Sequence, residues 1–316
     1  MDTRLVVALN LEWHDLGPER EALADVGAEV VTLDQLQDAQ HASVVALLSE
    51  GATVTARDLR RYPQLKIVSE FGTGYDGIDL EAARRSGVAV TNVAGYCTEE
   101  VADHTLALAL SLVRRLGSLS RQAEGGSWAQ VDTGSIRRCA DSCWGVIGFG
   151  RIGQAVARRA QGFGFSISAY DPCLSDRAIS DHGARPAPLE QLLSRADVVS
   201  IHAARTGRDD QMLDRRRLSL LKPTAYLVNV ARGAFADEVA LADALDAGAL
   251  AGAAIDVFID EPPDPSNRLL RHPRTLVTPH VAYYSDSAEV ELRARGIAAV
   301  VDVLSGRTPV DLVPEL

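Results

Sequence analysis

A chain of 316 residues exceeds what one hydrophobic core usually supports, so two domains are expected, and 47% apolar with 24% charged residues is a globular composition. A formal net charge of −11 speaks against nucleic acid, whose phosphates it would repel, and no apolar run reaches the about 18 residues of a membrane span. The opening MDTRLVVALNLEWHD turns acidic too soon for an export signal, and the four cysteines lack C-x-x-C spacing, so reduced thiols in a cytoplasmic protein without a metal site are expected.

Along the first hundred residues, short β-branched runs alternate with helical patterns: RLVVAL, PEREALADVG, AEVVTL, SVVALLS, ARDLRRYP, LKIVSEFG, LEAARRSG and VAVTNV. Strand, helix, strand at this spacing predicts parallel βαβ units. TEEVADHTLALALSLVRRL then reads as one long helix from Thr98 to Leu116, with Thr98 as N-cap, Glu99 and Glu100 at its positive end and Arg114 and Arg115 at its negative end. A second α/β series follows: WGVIGFG, RIGQAVARRAQGFG, SISAYDP, PLEQLLSRA, DVVSIHA, DRRRLSLLKP, AYLVNVA, DEVALADALDAG, GAAIDVF and TLVTPHVA, closed by the helix SAEVELRARGIAAVVDVLSG.

The stretch WGVIGFGRIGQAVARRA sets G-x-G-x-x-G between an apolar strand and an amphipathic helix, as a dinucleotide requires. Gly148 allows the tight turn, Gly150 lets the backbone approach a pyrophosphate, and Gly153 lets helix and strand pack closely. The next strand, SISAY, ends at Asp171, whose carboxylate suits ribose hydroxyls and repels a 2′-phosphate; this favours NAD over NADP. Arg205, in HAARTG, is the one residue that reopens that choice.

The order FGTGYDGID, GVAVTNVAGYCTEEVADHTLAL, GVIGFGRIG, LVNVARGAFADEVAL, GALAGAAIDVFIDEPP, TLVTPHVAYYS resembles the D-isomer-specific 2-hydroxyacid dehydrogenase family over about residues 40–305. The ending TPHVAYYSDSAEVELR and the pair YDP look most like its C-terminal-binding-protein branch. The resemblance implies two Rossmann-like α/β domains, with an NAD-binding domain (98–284) inserted into a flavodoxin-like substrate domain (1–97 plus 285–316). It also implies a homodimer and interconversion of a 2-keto acid with a D-2-hydroxy acid. The runner-up is an NAD-sensing, corepressor-like scaffold that works through protein partners.

Reducing a 2-keto acid needs a cation for the carboxylate, an acid for the carbonyl oxygen and a group to hold that acid. Arg232 follows an apolar strand and can match a carboxylate with two parallel hydrogen bonds. His280 follows TLVTP at another strand end, whereas His14, His41, His182 and His272 sit in polar or turn-like stretches and are expected to be exposed. A histidine near neutral pH donates poorly unless a carboxylate raises its pKa. The resemblance supplies Glu261 as that partner, ahead of its neighbour Asp260, because the family's glutamate directly precedes the proline. It also assigns cofactor contacts to Arg151, Ile152, His202, Val230 and Ala231, and Asp256 to the nicotinamide amide. Substrate contacts fall to the N–H groups of Thr73 and Gly74, and to Tyr283. Tyr75, Tyr96, Tyr283 and Tyr284 read equally as pocket walls and as packing between domains. Glu70 stands where many relatives carry arginine; pointing inward, it would disfavour doubly anionic substrates.

Overall fold

The computed structural model describes residues 4–11, 13, 15–128, 132–204 and 211–313. The chain divides into two compact units, Met1–Tyr96 with Ser285–Leu316, and Cys97–Tyr284. Among the described residues no helix is long and apolar enough to cross a membrane.

In the first unit, β1 (Arg4–Leu9), β2 (Ala28–Thr32), β3 (Val44–Ser49), β4 (Ile67–Glu70) and β5 (Ala89–Thr91) form a parallel sheet in the order β2-β1-β3-β4-β5. That is the flavodoxin-like order, with its crevice at the carboxyl ends of the strands. All six residues of β3, VVALLS, are buried, as expected of a central strand covered on both faces. The helices are α1 (Gly17–Ala24), α2 (Ala56–Arg61), α3 (Leu80–Arg85) and α11 (Asp286–Leu304). Their starts are fixed locally. Thr55 and Asp58 form a capping box on α2, and Asp79 and Ser285 accept the Ala82 and Ala288 N–H groups at the heads of α3 and α11.

Gly296 lets α11 press on the Phe71 ring: a Cβ there would meet ring carbons at 2.7, 2.8 and 3.0 Å, while the Ser69 hydroxyl donates to the Gly296 carbonyl at 2.9 Å. Phe71 is buried. Gly296→Val is therefore expected to destabilise the fold by about 1–3 kcal/mol through overpacking. Thermal unfolding followed by circular dichroism checks this; an unchanged Tm would show that the ring can move aside.

The second unit contains α4 (Thr98–Val113), α5 (Leu116–Glu124), α6 (Arg151–Gly162), α7 (Asp176–Asp181), α8 (Leu189–Arg195), α9 (Arg215–Leu218) and α10 (Glu238–Asp246). Its strands are β6 (Cys143–Ile147), β7 (Ser166–Tyr170), β8 (Arg185–Pro186), β9 (Val198–Ile201), β10 (Tyr226–Asn229), β11 (Gly252–Ile255) and β12 (Thr275–Val277). They pair in parallel in the order β12-β11-β10-β9-β6-β7-β8, which places the switch point between β6 and β9, beside the glycine loop.

Two expectations are corrected. The predicted helix from Thr98 to Leu116 is two helices: Cys97, with no side-chain cap bond, occupies the N-cap position, α4 ends at Val113, and Arg115 turns through the left-handed region (φ 53°) before α5. The buried face of α4 runs out at Val113, and α5 buries no residue at all, so nothing beneath the chain enforces a straight continuation. His41 and His272, expected to be exposed, are largely buried. His41 stands edge-on to the Tyr62 ring, 5.5 Å between centroids, and His272 Nε2 lies 3.2 Å from Asp246. His182 is exposed, and His14 lies outside the described residues.

Candidate active site

Gly148 takes φ +84°, and a side chain there would run into the backbone of His202 and Ala203; one at Gly153 would strike the Gly148 carbonyl. At Gly150 a Cβ would meet nothing within 4 Å, so this glycine opens onto free space at the head of α6. Gly150 is the N-cap and supplies no side-chain bond, leaving the first N–H groups of the helix, those of Arg151, Ile152 and Gly153, available for an anion. Asp171 directly follows β7 and ties itself to this loop: its carboxylate accepts from the Phe149 N–H at 2.8 Å and the Cys173 N–H at 2.8 Å.

His202 lies one residue beyond β9. Its Nε2 is 2.8 Å from the Ser200 hydroxyl, which also accepts the Trp144 indole N–H at 2.8 Å, and its buried Nδ1 has no partner among the described residues. Burial pushes its pKa down to about 3, so the ring is neutral. The open Gly150, the uncapped α6 terminus and the orphaned Nδ1 are what a dinucleotide needs from this edge.

Three adjacent strands deliver the rest. Arg232 follows β10, Glu261 lies on the segment after β11, and His280 follows β12, all at the carboxyl edge of one sheet. His280 Nδ1–H donates to Glu261 Oε2 at 2.6 Å, and the other Glu261 oxygen accepts the Phe258 N–H at 2.8 Å. That hydrogen bond raises the His280 pKa above its ordinary value, against burial; the Glu261 and Asp256 charges add to the rise and the Arg232 charge opposes it. Burial alone would raise Glu261, but the His280 bond, the Phe258 N–H and the charges of His280 and Arg232 hold it below the usual range. Arg232 is thus close enough to act electrostatically on both partners. Its Nη1 also donates to the Ala231 carbonyl at 2.7 Å. Tyr283 packs edge-on to His280, with ring centroids 6.4 Å apart.

Asp256 bonds to the loop that carries His280. Its side chain is fully buried and turned into the His280 loop, where it accepts from the Thr278 hydroxyl (2.6 Å), the Val281 N–H (3.0 Å) and the Ala282 N–H (3.0 Å). In this structure it holds the loop. Thr73 and Gly74 lie in the other unit, in the loop after β4, where the Asn92 side-chain amide donates to the Thr73 carbonyl at 2.7 Å. The buried Glu70 carboxylate accepts from the Ser49 hydroxyl (2.6 Å) and the Gly51 N–H (2.7 Å). Tyr96 is buried, Tyr75 packs on the core of its own unit, and Tyr284 is half-exposed. Arg205 lies outside the described residues.

Several residues that shape this edge were not singled out from sequence. Buried Asn229 folds the Arg232 turn, donating to the Arg232 carbonyl at 2.8 Å and accepting the Ala231 N–H at 3.2 Å. Gly233 lets that turn lie directly on the Phe258–Ile259 backbone, which leads to Glu261. Glu238, at the head of α10, accepts the Ile259 N–H at 2.7 Å and steadies the same segment. Only the glycine after Arg232 was a visible signal; Asn229 and Glu238 look like ordinary polar residues until the turns are built.

The family description "D-isomer specific 2-hydroxyacid dehydrogenase, NAD binding domain" matches residues 106–282. The chain is 36% identical over 308 residues to a glyoxylate reductase of Korarchaeum cryptofilum, covering 95% of this chain and 88% of that one. A D-lactate dehydrogenase from Aquifex aeolicus, solved with NAD and lactic acid, superposes with a TM-score of 0.88 at 28% identity over 95% of this chain and 96% of its own. An NADPH-dependent glyoxylate/hydroxypyruvate reductase from Sinorhizobium meliloti, solved with NADP and malonate, gives 0.83 at 28% over 98% and 97%. These relatives are enzymes and lend no support to a corepressor-like scaffold or to placement in the C-terminal-binding-protein branch. With a dinucleotide edge, an arginine and a carboxylate-bound histidine on one sheet, and these relatives over nearly its whole length, the chain belongs to the D-isomer-specific 2-hydroxyacid dehydrogenase family.

Proposed function

We propose that the chain interconverts a small 2-keto acid of the glyoxylate or pyruvate class with its D-2-hydroxy acid, using NAD. The observation that carries this is the 2.6 Å bond between His280 and Glu261 within electrostatic reach of Arg232. NAD held at Gly148, Gly150 and Gly153 supplies or receives the hydride. Arg232 grips the substrate carboxylate with its guanidinium fork. With Nδ1 committed to Glu261, His280 presents Nε2 to the substrate oxygen, giving a proton in reduction and taking one in oxidation. Glu261 raises the pKa of that ring, so the proton is held to higher pH than on a free imidazole. Tyr283, edge-on to His280, bounds the substrate side.

The preference for NAD over NADP rests on Asp171, whose negative charge at the end of β7 repels a 2′-phosphate. A homodimer accords with the exposed Leu116 and Trp128 around the unburied α5, and a cytoplasmic site accords with four free cysteines. A panel of small, branched, aromatic and dicarboxylic 2-keto acids, each with NADH and NADPH, tests the reading through loss of reduced-cofactor absorbance. Turnover confined to NADH and small monocarboxylic keto acids is expected; no turnover with any acid would overturn the proposal.

The pH profile is a second check. Reduction needs protonated His280, and Glu261 raises the pKa of that ring. Glu261→Gln removes the rise, so the alkaline limb of kcat/KM for reduction moves to lower pH and the rate at neutral pH falls. An unmoved limb would mean that Glu261 does not govern the proton.

A further inference from the structure

His280 stands in an unusual backbone state. Its φ is +51°, in the left-handed region that strains a non-glycine residue and persists only where surrounding structure enforces it. What enforces it is Asp256. The His280 N–H donates to the Asp256 carbonyl at 2.8 Å, and the buried Asp256 carboxylate grips the loop on both sides of His280, at Thr278 before it and at Val281 and Ala282 after it. The loop cannot relax its φ without breaking a buried, charge-assisted bond.

The chain of bonds continues to α4. His104 Nε2 lies 3.1 Å from the Thr278 hydroxyl oxygen and 3.8 Å from Asp256 Oδ1. Thr278 spends its own hydrogen on Asp256, 2.6 Å away, so its oxygen is an acceptor toward His104, and His104 carries its proton on Nε2. The result is a directed relay, His104 to Thr278 to Asp256, anchored on a helix with a strongly buried face.

We propose that His104 and Thr278 are positioning residues for the proton-transfer step: acting through Asp256, they fix the loop geometry that aims the His280 ring. Neither touches the substrate oxygen. The inference rests on His280 being the proton carrier. If the relay served only cofactor binding, its loss would weaken NADH binding; as a positioning device its loss slows proton transfer and leaves binding intact.

The test is a paired set of variants in the full chain. Thr278→Val keeps the shape and removes the hydroxyl, and Thr278→Ser restores it. His104→Leu removes the donor, and His104→Gln places an amide N–H near the position of Nε2. Thr278→Val is expected to lower kcat for keto acid reduction about 10–100-fold, because small misplacements of a catalytic group cost that much. The keto acid KM and the NADH Kd should stay within about threefold, with Ser recovering most of the loss. His104→Leu should lose less and His104→Gln recover it. An imidazole NMR titration of His280 in the ligand-free protein should move to lower pH in Thr278→Val as the Glu261 bond loosens. Full kcat in both the Val and Leu variants, a loss confined to NADH Kd with an unmoved His280 titration, or failure of Ser and Gln to rescue would each overturn the proposal. Failure of the functional reading is separate: it shows as wild-type protein inactive with every keto acid, and the titration still reads the relay.

Discussion

His280→Ala is expected to lower kcat for 2-keto acid reduction by about 10²–10⁴-fold, the usual worth of a positioned general acid, while NADH binding stays within about twofold. Hydride adding to a ketone carbon leaves negative charge on oxygen, and without a donor that charge must be met by water at the mouth of the site. The ring is placed for the task by the 2.6 Å bond to Glu261, which leaves Nε2 for the substrate. NADH binding is expected to survive because the glycine loop, Asp171 and α6 make their contacts without His280. His280→Asn is the companion variant, since asparagine tolerates the left-handed backbone that His280 adopts. Stopped-flow turnover and NADH fluorescence titration read the two effects apart. Loss of NADH binding together with turnover in both variants would show that His280 is a structural residue of the loop.

How far the site could be read from sequence depended on what each residue bonds to. Gly148, Gly150 and Gly153 are legible because their chemistry is local: a turn, an open approach and a close contact, each set by neighbours a few positions away. Arg232 and His280 are legible as residues just beyond strand ends in a parallel sheet, whose order forces successive strand ends onto one edge, whereas Glu261, on the segment beyond Ile255, is legible only through the family pattern. The protein partners of Asp256 are not legible in the sequence, because Thr278, Val281 and Ala282 arrive only when β11 and β12 pair and their following loops meet. No spacing rule predicts that a buried aspartate will spend its lone pairs on a neighbouring loop.

The fold shows the same division. The βαβ alternation gave both sheets, because apolar runs and helical faces repeat at characteristic periods. The break at Arg115 is hidden in the sequence because TEEVADHTLALALSLVRRL contains no proline or glycine; α4 ends where its buried face ends, at Val113, and α5 buries no residue. The pair α7 and β8 escaped notice for a similar reason. A helix of six residues and an edge strand of two, the latter containing Pro186, carry too little periodicity to register.

Arg232 carries the second large effect, and its two substitutions separate geometry from charge. Arg232→Lys keeps the positive charge and loses the fork, so about one charge-assisted hydrogen bond of about 1.5–3 kcal/mol disappears. That corresponds to a loss of about 10–10²-fold in kcat/KM, carried largely by the keto acid KM. Arg232→Ala removes both bonds and the charge, and the loss grows to about 10²–10⁴-fold. The charge leaves a second signature. Arg232 lowers the proton affinity of both Glu261 and His280. Its removal lets His280 hold its proton to higher pH, so the alkaline limb of the residual reduction moves up in Arg232→Ala and stays near the wild-type position in Arg232→Lys. Glu261→Gln moves the same limb the other way. Opposite displacements from two substitutions are hard to obtain unless both charges act on one imidazole, and pH–rate profiles of the three variants on a single keto acid decide it. An Arg232→Lys enzyme with wild-type KM would place the substrate carboxylate elsewhere, and a limb that does not move in Arg232→Ala would put Arg232 out of reach of His280.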